Sequence, residues 1–92
     1  MLAAYCVYIL ECADGSLYTG CTNDLARRLA SHQSGRASKY TRSRLPVKLC
    51  YAEPAGDRGS ALKREAGIKR LTRHEKILLC EKYERKKKNS FR

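Results

Sequence analysis

Tyr5–Cys12 (YCVYILEC) is the segment that most restricts how this chain can fold. It is β-branched and aromatic and stays apolar on both faces until Glu11, so as a strand it must be covered from both sides and lie centrally in a sheet. Ala13-Asp14-Gly15-Ser16 is a turn signal and Leu17–Thr22 reads as a second strand, so a hairpin is expected. The turn decides which side chains share a face. A two-residue type I′ loop would pair Ala13 with Ser16 and set Tyr8 and Tyr18 on opposite faces. A three-residue loop, Ala13-Asp14-Gly15 with Gly15 at the left-handed bulge position, pairs Cys12 with Ser16 instead. Leu10 then faces Tyr18, Tyr8 faces Gly20, and both phenols stand on one side, with Gly20 leaving room beside the Tyr8 ring. A site shared by the two tyrosines needs this second register.

Downstream, Thr22-Asn23-Asp24 supplies an N-cap and an acidic first turn for a helix over about Leu25–Gln33. Ser34–Leu45 is polar and basic, with Gly35 inside and Pro46 beyond, and reads as a loop. Val47–Glu53 (VKLCYAE) is a third strand. Pro54-Ala55-Gly56-Asp57 breaks the chain and re-caps it into a helix ending near Arg70. Thr72-Arg73-His74-Glu75 is a capping box ahead of Ile77-Leu78-Leu79, so a last helix starts there. The order ββαβαα describes an α/β chain with a three-stranded antiparallel sheet flanked by helices. Residues 1–84 are expected to form one domain, and 85–92 a frayed basic tail.

The net charge is +11, from 20 Lys and Arg against 9 Asp and Glu, and the excess is not confined to the tail. A polyanion, nucleic acid above all, is the natural partner. A membrane surface fits less well, because no long amphipathic helix carries a Trp/Phe/Leu face. Five scattered cysteines, with no C-x-x-C pair, argue against a zinc site and a disulfide framework and suit buried thiols. Neither a signal peptide nor a segment of transmembrane length is apparent, so a soluble cytoplasmic protein is expected.

Several side chains could carry chemistry. Arg28 and His32 are spaced i,i+4 and project from one side of the first helix, with Leu25 and Leu29 supplying its apolar side. Glu65 lies three or four positions from Ala61, Leu62 and Ile68, at the edge of an apolar stripe, where a carboxylate needs a cation or hydrogen bonds. Taken singly, each has an ordinary explanation: a solvated helix face, a strand-core tyrosine, a surface ion pair.

Together, in this order and spacing, they resemble the GIY-YIG nuclease superfamily over nearly the whole chain. Tyr8 closes the first motif; Tyr18-Thr19-Gly20 follows, then Arg28, His32 and the helical Glu65 in Arg64-Glu65-Ala66-Gly67-Ile68-Lys69. CADGSLYTG, DLARRLASH and SKYTRSRLPVKL look like the small stand-alone bacterial members, an uncharacterised group with a GIY-YIG domain. The first triplet, Cys6-Val7-Tyr8, lacks the family's glycine but keeps its tyrosine. An Asn used by some relatives has no equivalent placed here, since Asn89 lies in the tail.

The resemblance implies metal-dependent hydrolysis of a DNA phosphodiester, selective for structure or for single strands. Glu65 would hold a single Mg²⁺ or Mn²⁺ ion. Arg28 would clamp a non-bridging oxygen. Tyr8 would be the general base, with Tyr18 and His32 orienting or relaying. By proton affinity alone His32 is the simpler base, so the ranking of Tyr8 rests on the family. Arg36, Lys39, Arg42 and Arg44, with Tyr40 between them, form the expected DNA-tracking loop, where an aromatic can stack on an unpaired base. Two other readings stay open: a DNA-binding module with little or no catalysis, and a catalytic subunit that needs a protein partner.

Overall fold

The computed structural model describes residues 4–89, with side chains through Lys87. Strand β1 (Tyr5–Glu11) pairs with β2 (Leu17–Thr22) on one side and β3 (Lys48–Gly56) on the other, giving an antiparallel sheet of order β2-β1-β3. The all-apolar strand is therefore central, as its composition requires. Helix α1 (Leu25–Gln33) and the short α2 (Lys39–Arg42) precede β3, and α3 (Arg58–Lys69) and α4 (Arg73–Asn89) follow it.

The hairpin takes the register that unites the two tyrosines. Tyr8 lies opposite Gly20 and Leu10 opposite Tyr18. The Cys12 amide donates to the Ser16 carbonyl at 2.9 Å and the Gly15 amide to the Cys12 carbonyl at 2.9 Å. Gly15 has φ +84°, the left-handed conformation that this loop demands. Asp14 stabilises the turn by accepting from the Ser16 amide (3.0 Å) and hydroxyl (2.6 Å).

Alternation along β1 gives the sheet two different faces. Val7 and Ile9 join Cys50, Ala61 and Ile68 under α3 and α4. Tyr8 and Leu10 join Cys12 and Val47, with Leu25 and Leu29 of α1 packed over them. The Gln33 side chain binds the Val47 backbone at both its carbonyl and its amide, fastening the end of α1 to the approach to β3. Leu45-Pro46 is a cis peptide.

Two expectations about the elements need correction here. The segment 34–45 is not all loop, because α2 forms within it. Ser38 caps α2, its hydroxyl accepting from the Tyr40 amide at 3.1 Å; one turn is too short to show any periodicity. Strand β3 passes through Pro54 instead of ending at Glu53. Proline is tolerated there because β3 is an edge strand and its register with β1 shifts between Tyr5 and Cys6. The cysteines are also less scattered in space than in sequence: Cys80 Sγ of α4 lies 3.0 Å from Cys50 Sγ of β3, which itself donates to the Ile9 carbonyl. All five remain free thiols.

The two later caps form as the sequence indicates. Asp57 accepts from the Ser60 amide at 2.8 Å to start α3. Thr72 and Glu75 exchange side-chain-to-backbone bonds of 3.1 and 2.9 Å to start α4. Helix α4 continues through Asn89, past position 84 where a tail was expected to begin; Glu, Arg and Lys are good helix formers and no Gly or Pro interrupts them. The side chains of Lys88 and Asn89 and all of residues 90–92 lie outside the described residues.

Candidate functional site

Tyr8 and His32 form the centre of the α1-covered face. Both are fully buried. The Tyr8 hydroxyl lies 2.9 Å from His32 Nε2, and the rings meet edge-on with centroids 5.8 Å apart. The opposite ring nitrogen, Nδ1, lies 2.9 Å from Thr41 Oγ1 on α2. Tyr18 packs edge-on against His32 at 5.2 Å and tilts against Tyr40 at 6.0 Å. Gly20 is what lets the Tyr8 ring reach this position, because a Cβ there would stand 2.6 Å from the phenol oxygen.

Arg28 comes from the same side of α1 as His32, one turn earlier. Its interaction with the Tyr8 hydroxyl holds the arginine more firmly in its charged form. Arg28 Nε is buried and has no hydrogen-bond partner among the described residues. A buried guanidinium nitrogen without a partner is expensive unless an anion completes it. A polar cleft lined by Thr22, Asn23, Asp24, Arg27, Arg28 and Ser31 opens beside it.

The electrostatics follow from burial. Burial pushes the Tyr8 phenol up to about 12, while Arg28 acts in the opposite direction. His32 is held below its ordinary value, first by burial and then by the Arg28 charge, so its imidazole is neutral at pH 7.

Glu65 approaches from the other face of the sheet. Its side chain is only 16% exposed and one oxygen pairs with Lys69 Nζ at 2.9 Å, one helical turn on. Glu65 also acts on the Cys21 thiol of β2, which burial and Glu65 together push up to about 11. Tyr8, Tyr18, Arg28 and His32 are thus one cluster, with Glu65 reaching the same edge strand from behind. Among the described residues no three His, Cys, Asp or Glu side chains are grouped to hold a metal ion. A lone carboxylate makes no structural cage, but it fits a hard cation such as Mg²⁺, which keeps most of its coordination for water and phosphate.

The expected DNA-tracking residues divide in two. Arg36, Lys39, Tyr40 and Arg42 are exposed. Arg44 is committed internally: it pairs with Asp14 at 3.0 Å, stacks 3.9 Å over the Tyr40 ring and donates to the Tyr40 carbonyl at 2.9 Å. It therefore braces Tyr40 against the hairpin turn. Thr41 is not singled out by the sequence, because among four polar and basic neighbours nothing marks it as the fully buried one.

The family model for the GIY-YIG catalytic domain matches residues 4–89. The chain is 51% identical over 71 residues to UPF0213 protein SAG0778 of Streptococcus agalactiae, covering 77% of this chain and 81% of that one. It is 46% identical over 78 residues to UPF0213 protein Reut_B5558 of Cupriavidus pinatubonensis, covering 85% and 87%. Two solution structures are similar. UPF0213 protein BH0048 of Bacillus halodurans has a TM-score of 0.54 at 42% identity, over 85% of this chain and 83% of that one. Protein EF2693 of E. faecalis has a TM-score of 0.59 at 38% identity, over 88% and 86%.

Proposed function

Because the chain belongs to the GIY-YIG catalytic domain family, a nuclease family, we propose that it is a divalent-metal-dependent endonuclease hydrolysing DNA phosphodiester bonds. The observation that carries this reading is the buried Tyr8–His32 pair beside an Arg28 guanidinium with an unpaired nitrogen. Phosphoryl transfer needs a clamp for the phosphate charge and a route for the water's proton, and this cluster has the parts for both.

Arg28 binds a non-bridging oxygen of the scissile phosphate and stabilises the charge that builds up there. Tyr8 takes the proton of the attacking water, and His32, in contact with its hydroxyl, receives the proton that the phenol gives up. Full burial keeps Tyr8 away from bulk water, so the attacking water meets it once Arg28 turns outward to the phosphate. Tyr18 packs against His32 and holds the imidazole in place. Glu65 and water would hold a divalent ion, Mg²⁺ or Mn²⁺, which when bound supplies Lewis-acid polarisation of the phosphoryl oxygen. Lys69 yields its partner in that state.

Lys39 and Arg42 follow the backbone, and the exposed Tyr40 offers a stacking face for an unpaired base. The chain carries no further base-reading motif in its described residues, which favours substrates chosen by structure or by single-strandedness. The test is cleavage of labelled single-stranded, duplex and branched DNA by the wild type and by Glu65→Ala, with and without Mg²⁺ and Mn²⁺. Metal-dependent cleavage at least about 10²-fold slower in the variant, with DNA binding retained, is the expected result. Binding without cleavage by the wild type would instead indicate a binding module or a subunit that needs a partner. Equal cleavage by both proteins would remove Glu65 from the site.

A further inference from the structure

We propose that Thr41 is a positioning residue that fixes His32 in the tautomer protonated on Nδ1, leaving Nε2 bare and facing the Tyr8 hydroxyl. Its mechanistic value rests on the nuclease reading above, but the assignment itself rests on the hydrogen-bond chain.

That chain has one consistent direction. A threonine hydroxyl has a single proton, and a backbone carbonyl can only accept. Thr41 Oγ1 lies 3.4 Å from the Ser38 carbonyl oxygen and 2.9 Å from His32 Nδ1. Giving its proton to Ser38 leaves the Thr41 oxygen as acceptor for an N–H at Nδ1. The far end of the chain fits the same order. With Nδ1 protonated, the neutral imidazole has Nε2 as its acceptor, and the Tyr8 hydroxyl at 2.9 Å is the donor in reach. Donation thus runs from Tyr8 to His32, Thr41 and the Ser38 carbonyl without reversal, and such one-way chains polarise cooperatively.

Both Thr41 and His32 are fully buried, so water cannot replace either partner. The backbone secures the geometry: the Ser38 hydroxyl caps α2, and the helix turns the hydroxyl of Thr41 inward while Lys39, Tyr40 and Arg42 face out. In the catalytic step the Tyr8 O–H bond breaks and its proton forms an N–H bond at Nε2. The electron pair left on the Tyr8 oxygen takes the proton of the attacking water, and the imidazolium keeps its Nδ1–H on Thr41.

The tautomer can be read directly from the imidazole ¹⁵N signals of the full-length protein at pH 8. The chain has two histidines, and the exposed His74 supplies a solvent-averaged reference. The wild type and Thr41→Ser are expected to show a protonated Nδ1 and a bare Nε2 at His32. Thr41→Val, of similar shape but without the hydroxyl, is expected to lose that preference and to cleave DNA roughly tenfold to a hundredfold more slowly, less than the loss of an acid–base group itself would cost. Thr41→Ser should recover most of the rate with unchanged DNA binding. A protonated Nε2 in the wild type, or a Thr41→Val protein that keeps the Nδ1–H form, would overturn the proposal. These signals need no activity: a protein that cuts no DNA yet shows the expected tautomer response sinks the nuclease reading and leaves the Thr41 assignment standing.

Discussion

At Gly20 the backbone passes so close to the Tyr8 phenol that an added Cβ would lie 2.6 Å from its oxygen and 3.2 Å from the Tyr18 ring. The Tyr8 ring cannot simply swing aside, because it is fully buried and tied to His32. Gly20→Ala is therefore an overpacking change at the centre of the site. It is expected to lower stability by about 1–3 kcal/mol, read as the shift in a urea unfolding midpoint, and to reduce cleavage further by displacing the phenol. A variant as stable and active as the wild type would mean that the ring has room that the geometry denies it. Arg44 resembles its neighbours in sequence, yet its guanidinium stacks on Tyr40 and pairs with Asp14. Lys39 and Arg42 stay exposed.

Helix α2 concentrates two tasks in four residues, presenting cations outward and burying Thr41. If it tracks the DNA backbone, replacing Lys39 and Arg42 by Gln should weaken binding alike for all sequences. The salt dependence of log K should flatten by roughly 1.5, at about 0.7–0.9 per lost phosphate contact, as measured by fluorescence anisotropy from 50 to 200 mM salt. An unchanged slope would place the DNA elsewhere. The hairpin, by contrast, is legible in the amino-acid sequence. Gly15 can take the left-handed turn position, and only the three-residue loop brings Tyr8 and Tyr18 to one face; the observed pairing of Tyr8 with Gly20 is that register. The caps at Asp57 and at Thr72 with Glu75 are legible for the same reason, since a local signal decides a local bond. Helix α2, the passage of β3 through Pro54 and the approach of Cys80 to Cys50 are not, because long-range packing decides them. Glu65 is visible as an awkwardly placed carboxylate, but its contacts with Lys69 and Cys21 belong to the fold.

Across the whole molecule, one sheet separates two differently composed faces. The α3/α4 side is built from Val7, Ile9, Ala61 and Ile68, while the α1/α2 side buries Tyr8, His32 and Thr41. Burying titratable groups makes stability depend on pH at both ends. His32 is held below its ordinary value, so its neutral form contributes stability that is full above about pH 6.5 and is lost as pH falls below it. Tyr8 and Tyr51 are raised to about 12, so their contribution is full below pH 10 and is lost between 10 and 12. For Tyr8 the alkaline loss amounts to roughly 2–3 kcal/mol, from a shift of about two units at about 1.4 kcal/mol each. Urea unfolding across pH should show a plateau from about 7 to 9, with His32→Gln removing the first step of the acid decline. A wild-type curve flat to pH 5 would mean that His32 is not buried as a neutral ring. Beneath these effects lies the claim that the Tyr8 hydroxyl moves the proton in phosphodiester hydrolysis. Single-turnover cleavage by Tyr8→Phe, which deletes one oxygen from a packed ring, tests it most directly. The rate should fall by about 10²-fold or more with DNA affinity unchanged, and a variant that cuts as fast as the wild type would contradict it.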